Sequence, residues 1–351
     1  MSLQKLNWNA RNHGALNGFL AGVRSGDSAV FDWDNTCIFG DIGEAVLRHQ
    51  TLRLEFKFGP EHLREIIPDR VNGIDHIHSN GRIMALPAVK GQIVSAYEKI
   101  FGRDPARIRA SAAYRDFSAG LLALNRGLEE TPGIGCEFAY PWAIHFLRGF
   151  TPDDVRRLTG TVMDSELPAA IRRRQMPDER HRMLYRWTEG IRSFPEMIDL
   201  ARCLRNAGCR IIISTASNPL LIEAMAQRTG FAADQVIGMA ARIENGMLSG
   251  TLLPGPAPNF GSGKTENLRR LLDNGPSFAA GDSSGDYEMM TEFPATRLKL
   301  LIRRERPGKM ASLYQKVLAG DPGYLLQDVD RETGKFSAAP GQPGIAFQPN
   351  K

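Results

Sequence analysis

Short apolar runs that end in polar side chains recur along the chain. The clearest cover residues 29–31, 210–213 and 277–280. Continuous apolar runs of this length, bounded by turn residues, are typical of strands that are buried on both faces of a parallel sheet. Two more runs, residues 235–238 and 298–302, predict further strands, and we expect the second to be the last.

Helical patterns separate these runs. Apolar residues recur at helical spacing, and proline, asparagine and glycine stand where helices begin and end. An Asn245-Gly246 pair predicts the turn of a β-hairpin. The predicted helices cover residues 8–23, 195–207, 219–227, 264–272 and 310–318.

A long segment after the first strand breaks this alternation. Residues 41–187 carry mostly helical patterns and turn signals, without a strongly alternating strand series. The fold class is therefore predicted to be α/β, with a Rossmann-like core around a mainly parallel sheet and a large helical domain inserted after the first strand. The expected divisions are a discontinuous core at 1–40 and 190–330, an inserted domain at 41–189, and a loosely held tail at 331–351.

Size and composition fit this organisation. A chain of 351 residues with 42% apolar and 24% charged residues can form two domains with buried cores. The formal charge of +5 suits an anionic substrate, but no dense Lys/Arg block is interleaved with aromatic residues. Nucleic acid is therefore not an expected partner.

The cysteines and the apolar runs restrict the class of protein further. The four cysteines form no C-x-x-C pair, so neither a zinc site nor a disulfide framework is expected. No run is long enough to span a membrane, and the first residues lack the apolar region of a signal peptide. The expectation is a cytoplasmic protein without a membrane partner, or a periplasmic one if an export signal has been removed.

The polar residues at the strand ends carry the candidate chemistry. Asp32 and Asp34 follow the first run at i and i+2, so both can lie on one side of the strand end. Alone, two such aspartates can also be solvated or act as caps. Together with Thr36, Ser214-Thr215, Lys264 on a glycine-rich loop and Asp282, they supply a carboxylate nucleophile, a second carboxylate, hydroxyl donors and a cation. Phosphoryl transfer through an aspartyl phosphate requires this set of groups.

These motifs, in this order, resemble those of the haloacid dehalogenase superfamily in its phosphatase branch. The resemblance covers about residues 28–40 and 190–303. It implies that Asp32 attacks phosphorus and that Asp34 is the general acid and base. It also implies a Mg²⁺ ion held by Asp32, by the backbone carbonyl of Asp34 and by Asp282, because oxygen ligands suit that cation.

The resemblance assigns roles to the neighbouring residues as well. Thr215 and the backbone N–H of Ala216 would hold a phosphate oxygen, with Ser214 as the competing hydroxyl. Lys264 would shield Asp32 from the phosphate charge. Asp286 would orient Lys264 or a metal-bound water, and Asp286 and Thr36 are expected to lie behind the residues that contact the substrate.

Several of these residues have simpler interpretations. Lys264 lies in a Gly-Ser-Gly-Lys-Thr segment similar to a nucleotide-binding P-loop, but Pro258 replaces the required glycine. Asp286 can be a cap for a helix that begins at Tyr287. Ser217 is expected to be a helix-entry residue, and Cys37 a small buried filler.

The inserted domain indicates the class of substrate. Phosphoserine phosphatase-like members of the superfamily carry their cap at this point of the chain, and a cap favours small phosphomonoesters. Asp41 stands where those enzymes carry a glutamate for the ammonium of the substrate, and Glu44 is the neighbouring candidate. Carboxylates that complement a helix dipole are the alternative interpretation.

Three segments are also similar to bacterial phosphorylcholine phosphatases: residues 6–12, 31–36 and 190–197. This likeness favours a quaternary ammonium group on the substrate, with an aromatic cage or a plain apolar core as the two interpretations of Phe138, Tyr140 and Trp142. Asn35 and the Thr215-Ala216-Ser217 sequence depart from the phosphoserine phosphatase pattern.

The leading hypothesis is a Mg²⁺-dependent phosphomonoester hydrolase that works through an aspartyl phosphate. Its substrate would be a small phosphate ester with a cationic group, of the phosphoserine or phosphocholine class. The alternatives are a phosphotransferase with the same intermediate and a non-catalytic binding protein with a retired site.

Overall fold

The computed structural model describes residues 2–304 and 308–339. Its strands are β1 Ser28–Phe31, β2 Ile38–Phe39, β3 His76–Ser79, β4 Arg82–Ala85, β5 Arg172–Pro177, β6 Leu184–Glu189, β7 Arg192–Ser193, β8 Arg210–Ser214, β9 Gln235–Ile237, β10 Ala241–Glu244, β11 Met247–Leu252, β12 Phe278–Gly281, β13 Leu298–Ile302, β14 Tyr324–Gln327, β15 Val329–Asp330 and β16 Lys335–Phe336. The α-helices are α1 Ala10–Ala21, α2 Ile42–Arg53, α3 Pro60–Ile66, α4 Leu86–Ile100, α5 Pro105–Ile108, α6 Ala112–Glu130, α7 Cys136–Ala143, α8 Pro152–Glu166, α9 Pro195–Asn206, α10 Pro219–Thr229, α11 Ser262–Arg269, α12 Tyr287–Thr291 and α13 Ala311–Leu318. Short 3₁₀ turns cover Ile144–Leu147, Ser284–Asp286 and Gly308–Met310.

A six-stranded sheet in the order β14-β13-β12-β1-β8-β9 forms the centre of the molecule. All of its neighbouring strands are parallel, and β1 pairs with β8 on one side and β12 on the other. The predicted α/β fold class is confirmed. Because the strands are parallel, the residues that follow β1, β8, β12 and β13 all meet at one edge of the sheet.

The residues of β1 explain why its sequence shows no polar alternation. Ala29 and Phe31 pack into the large core on one face of the sheet. Val30 packs on the opposite face with Ile212 and Leu268. A strand that is buried on both faces has no position for a polar side chain, so its sequence is a continuous apolar run.

The inserted segment has its own hydrophobic core. Its helices α2, α3, α4 and α6 pack together, and the rings of Tyr97 and Phe117 stack with centroids 4.6 Å apart. The predicted helical cap is confirmed, but the segment also contains two hairpins, β3–β4 and β5–β6, that the patterning did not indicate. The reason is that β5 begins with three consecutive arginines and is exposed there, so it lacks the apolar alternation that predicts a strand.

The C-terminal part corrects two predictions. Leu298–Ile302 is not the last strand of the sheet, because β14 pairs with it at the edge. The apolar run of β14 ends in Gln327 after three residues, which is too short to tell a strand from a helix by periodicity. The predicted loose tail is held at its beginning, where Phe336 is buried against Phe194 and Trp8. The part of that prediction from residue 340 onward lies outside the described residues.

None of the helices in the described residues has both the length and the apolar character needed to cross a membrane.

Candidate active site

The strand ends bring the predicted site residues to one cavity. Its wall includes residues from the ends of β1, β8 and β12 and from the cap. Thr36 and Asp286 lie behind this wall and contact it through Asp32 and Lys264. The predicted residues on the wall are Asp32, Asp34, Asp41, Glu44, Thr215, Ala216, Lys264 and Asp282.

Asp32 is held by donors on both carboxylate oxygens. Lys264 Nζ lies 2.7 Å from Oδ1, and the Thr36 hydroxyl donates to Oδ2 over 2.9 Å. Burial and the neighbouring charge of Asp286 raise the pKa of Asp32, while Lys264 and Thr36 act in the opposite direction. These two donors therefore favour the carboxylate form that a nucleophile requires.

Lys264 is fixed between two carboxylates. Its Nζ also donates to Asp286 Oδ1 over 2.6 Å, and the side chain is almost fully buried. Burial lowers the pKa of Lys264, but Asp286 and Asp32 outweigh it and raise the pKa above its usual value. This pairing replaces the P-loop interpretation, since the lysine faces carboxylates rather than an open anion site.

The loop before Lys264 depends on Gly263. A Cβ at this position would lie 1.9 Å from the Pro258 carbonyl oxygen, so only glycine fits. The close approach allows the chain to turn into α11 with Lys264 in its first turn.

Asp286 does not cap the helix that follows it. Its Oδ2 accepts from the backbone N–H groups of Asp282 and Ser283, both over 3.1 Å, and no side-chain cap is formed on α12. Asp286 therefore fixes Lys264 with one oxygen and the turn after β12 with the other. The helix-capping alternative for α12 is wrong.

Asp34 accepts two hydrogen bonds at the cavity wall. The Ile42 N–H donates to Oδ1 over 2.8 Å, and the Ser217 hydroxyl donates to Oδ2 over 2.7 Å. Burial, followed by the charge of Asp41, raises the pKa of Asp34 well above its usual value. The sequence predicts only that Ser217 stands at the entry to a helix. The structure shows that it also contacts Asp34, the predicted general acid.

Of the two candidate hydroxyls after β8, Thr215 reaches the cavity. Ser214 is fully buried, and its Oγ accepts from the Asn259 amide over 3.1 Å. Thr215 and Ala216 line the cavity wall at the start of the loop to α10. Cys37 is also buried, and burial raises the pKa of its thiol well above the usual value, as expected of a structural filler.

Three carboxylates form a cluster that fits a hard divalent cation. Oxygens of Asp32, Asp282 and Asp286 lie within 4.8 Å of one another. Asp282 Oδ2 is buried and accepts no hydrogen bond from the described residues. Burial, together with the charges of Asp32 and Asp286, raises the pKa of Asp282 well above its usual value. A set of buried carboxylate donors, one of which has an oxygen that accepts no hydrogen bond, suits Mg²⁺.

Arg304 is a site residue that the sequence analysis missed. It follows β13, and its Nη1 lies 2.8 Å from Asp282 Oδ2. A signal was present, because residues 298–302 were predicted as a strand and the next residues had to reach the same sheet edge.

A second charged cluster lies on the cap side of the cavity. Arg126 of α6 contacts Glu44 over 2.7 Å and Glu129 over 3.1 Å. Burial raises the pKa of Glu129 to about 8, with the charges of Glu44 and Asp41 acting in the same direction against Arg126. No sequence motif identifies Arg126 or Glu129, since they reach the site only through the packing of α6 on α2.

The substrate-recognition candidates have additional structural roles. Asp41 accepts from the Glu44 N–H over 2.8 Å and so caps α2, and burial with the charge of Glu44 raises its pKa to about 6. Of the predicted aromatic trio, Tyr140 lines the cavity, whereas Trp142 is buried in the cap core and donates to the Ile66 carbonyl over 2.7 Å. The trio therefore does not form a cage.

A wider cleft opens outside this cavity. It shares Asp41, Glu44, Glu129, Tyr140 and Arg304 with the inner cavity. Its described lining is rich in arginine, contributed mainly by β5 and β6: Arg48, Arg126, Arg172, Arg173, Arg174, Arg186, Arg304 and Arg331. An anionic molecule would meet this positive lining before it reaches Asp32.

Comparison with known proteins agrees with the fold. Residues 136–291 match the family model for haloacid dehalogenase-like hydrolases, a range that includes Thr215, Lys264 and Asp282. This part of the chain is therefore similar to a haloacid dehalogenase-like hydrolase domain, which confirms the resemblance seen in the sequence. A comparison with curated proteins gives no match.

Similar chains are also found among solved structures. A conserved, functionally unknown protein from Anaerococcus prevotii DSM 20548 is 26% identical, with a TM-score of 0.85 over 96% of this chain and 97% of that chain. A protein of unknown function from Bordetella pertussis Tohama I is 16% identical, with a TM-score of 0.47 over 88% of this chain and 100% of that one. A substrate-bound phosphoserine phosphatase is 11% identical, with a TM-score of 0.40 over 85% of this chain and 99% of that one.

Proposed function

We propose that this haloacid dehalogenase-like hydrolase is a Mg²⁺-dependent phosphomonoester hydrolase. It forms an aspartyl phosphate on Asp32 and acts on a small phosphate ester with a cationic group, of the phosphoserine or phosphocholine class. The observation that carries the proposal is the contact of Lys264 with Asp32 and Asp286, 2.7 and 2.6 Å away, beside a second carboxylate at Asp34.

The two carboxylates divide the chemistry between them. An oxygen of Asp32 attacks phosphorus, the bond from phosphorus to the ester oxygen breaks, and Asp34 gives its proton to the leaving oxygen. Asp34 then takes a proton from water, whose oxygen attacks phosphorus and releases Asp32 and phosphate. The raised pKa of Asp34 supports this role, because an acid must hold its proton before the first step.

The charge of the phosphate needs compensation from several groups. Thr215 and the N–H of Ala216 would bind its oxygens at the end of β8, and Lys264 separates Asp32 from its charge. Asp32, Asp282 and the carbonyl of Asp34 would hold Mg²⁺, with Asp286 close enough to join them. When bound, that ion neutralises negative charge on the phosphate and its surroundings.

The cap side of the cavity supports a cationic leaving group. Asp41, Glu44 and Glu129 place carboxylates on this wall, and Tyr140 adds an aromatic side chain. Arg126 forms ion pairs with Glu44 and Glu129, whereas Asp41 forms no ion pair among the described residues.

The domain division is part of the same proposal. We place the core at residues 1–40 and 190–330 and the cap at 41–189. The chain passes between the two parts twice, and the β2–β7 ladder pairs these two connecting segments through Ile38–Ser193 and Phe39–Arg192. The division is also supported by a hydrophobic cluster whose residues all lie between Leu47 and Trp187, although the larger core cluster takes in residues of α2 and α8 as well.

A hydrolysis assay tests the proposal. The panel contains p-nitrophenyl phosphate, phosphoserine, phosphocholine and phosphoethanolamine, each with Mg²⁺ or with EDTA. We expect phosphate release that needs Mg²⁺ and disappears in Asp32→Asn, while the exposed control Asp273→Asn keeps it. Release without Mg²⁺, or in Asp32→Asn, would contradict the mechanism.

The panel also distinguishes the alternatives. Phosphate transfer to an added alcohol in preference to water would indicate a phosphotransferase. Ester binding without turnover at any metal concentration would indicate a binding protein with a retired site.

A further inference from the structure

Arg304 occupies a position in the carboxylate cluster that no part of the proposed reaction uses. It comes from the end of β13, the strand beside β12, which carries Asp282. Its Nη1 lies 2.8 Å from Asp282 Oδ2. Asp282 Oδ2 accepts no hydrogen bond from the described residues, so this contact is an ion pair without hydrogen-bond geometry. The guanidinium therefore supplies charge to Asp282 rather than a directed hydrogen bond.

The charges of the carboxylate cluster explain why Arg304 lies beside Asp282. Lys264 contacts Asp32 and Asp286 but not Asp282. Asp282 is 2% exposed, and a buried carboxylate without a counter-charge is strongly unfavourable. Arg304 is the cation that meets this need among the described residues.

A divalent ion bound to Asp282 would compete with Arg304 for the same carboxylate oxygen. Two cations cannot both lie within contact distance of one carboxylate oxygen without strong repulsion. We propose that Arg304 is the resident counter-ion of Asp282 in the metal-free protein and that Mg²⁺ must displace it to bind. The inference rests on the proposed function, since it takes Asp282 as a ligand of Mg²⁺.

The surroundings of Arg304 allow this exchange. Its side chain is 37% exposed, and it lines both the inner cavity and the outer cleft. Asp41, Glu44 and Tyr140 also lie on this wall, and the charges of Asp41 and Glu44 raise the pKa of Arg304 after the larger effect of Asp282. A displaced guanidinium therefore remains in the cavity, where an anionic ester would enter. Metal binding and ester binding are coupled through this one side chain.

Metal titration without substrate tests the inference directly. Mg²⁺ is titrated calorimetrically into the unsubstituted protein and into Arg304→Gln, Arg304→Lys and Arg126→Gln. Removing the competing charge in Arg304→Gln is expected to tighten Mg²⁺ binding on the order of tenfold. Arg304→Lys keeps a charge and should bind more like the unsubstituted protein.

Arg126→Gln is the matched control for the loss of a nearby positive charge that does not contact Asp282. It removes one positive charge from the outer cleft that Arg304 also lines, but Arg126 contacts Glu44 and Glu129 rather than Asp282. Its effect on Mg²⁺ affinity should be smaller than that of Arg304→Gln. A change in Arg126→Gln as large as in Arg304→Gln, or equal tightening in Arg304→Lys, would overturn the competition.

The outcomes separate this inference from the proposed function. Equal Mg²⁺ affinity in the unsubstituted protein and Arg304→Gln would overturn the inference and leave the metal assignment intact. Absence of Mg²⁺ binding in every protein, including Arg304→Gln, would overturn the metal assignment together with the inference. Thermal unfolding with and without Mg²⁺ gives a second reading, in which Arg304→Gln should gain more stabilisation from the ion.

Discussion

Two charged clusters lie beside the same cavity, one on its core side and one on its cap side, and they differ in how they are neutralised. In the core cluster, Asp32, Asp282 and Asp286 are buried at strand ends, and their main cation, Lys264, is 2% exposed. In the cap cluster, Arg126 lies between Glu44 and Glu129, and the side chains of Arg126 and Glu44 are 39% and 27% exposed.

This difference indicates a division of work. The core cluster is fixed by a sheet that is buried on both faces and by contacts on nearly every oxygen, which suits chemistry that needs charge at set positions. The cap cluster lies on helices, and its Arg126–Glu44 pair is partly solvated, so that pair can be exchanged for a ligand at low cost. We therefore expect substitutions in the core cluster to affect turnover and folding, and substitutions in the cap cluster to affect substrate choice.

Loss of the core cation should have the largest effect. Lys264→Met leaves Asp32 and Asp286 buried without their shared counter-charge, and we expect a loss of about 3 kcal/mol in the free energy of unfolding together with loss of turnover. Urea unfolding measures the first quantity. The exposed control Lys335→Met should change neither, and a loss below about 1 kcal/mol in Lys264→Met would contradict the importance of this pairing.

Asp34→Asn should separate chemistry from folding within the same region. The side chain keeps its size and its contacts with Ile42 and Ser217, and the raised pKa of Asp34 means that a neutral amide suits its site. We expect turnover of phosphocholine or phosphoserine to fall by about 10²- to 10⁴-fold without loss of thermal stability. Full activity in this variant would remove Asp34 as the acid.

A substitution in the cap cluster should change the selectivity between substrates. Arg126→Gln removes the cation from Glu44, which leaves more negative charge for a cationic leaving group. The ratio of kcat/KM for phosphocholine to that for the uncharged-head ester glycerol phosphate is expected to rise by about threefold, in line with a partly exposed ion pair. A fall in that ratio would contradict the assignment of this wall to a cationic group.

A further expected effect concerns the pH dependence of stability. Burial raises the pKa of Glu129 to about 8, whereas in the unfolded chain it is the ordinary value for glutamate. The folded protein therefore holds a proton that the unfolded chain has lost, and the contribution of Glu129 to stability falls as the pH rises towards 8. The stability difference between pH 5 and pH 8 should be smaller in Glu129→Gln than in the unsubstituted protein. Urea unfolding at the two pH values measures this difference in the free energy of unfolding. An equal difference in Glu129→Gln and in the unsubstituted protein would contradict the raised pKa.

The sequence predicted the core far better than the cap. Its strand runs, the Asn245-Gly246 hairpin and the helix start at Asn218 depend on local turn chemistry, and all appear in the structure. The hairpin β5–β6 and the edge strand β14 were not predicted, because one is polar and the other is very short. Neither feature has a periodicity that local analysis can identify.

Taken alone, the sequence determined which groups stand at the ends of β1, β8 and β12. Parallel strands place their carboxyl ends together, so Asp32, Thr215 and Asp282 had to meet once those strands were identified. Only the tertiary structure decided what those groups contact. Ser217 reaches Asp34 across 183 residues of sequence, and Arg126 reaches Glu44 across 82. The contact of Arg304 with Asp282 also depends on the register between two strands, which is a property of packing rather than of any local sequence pattern.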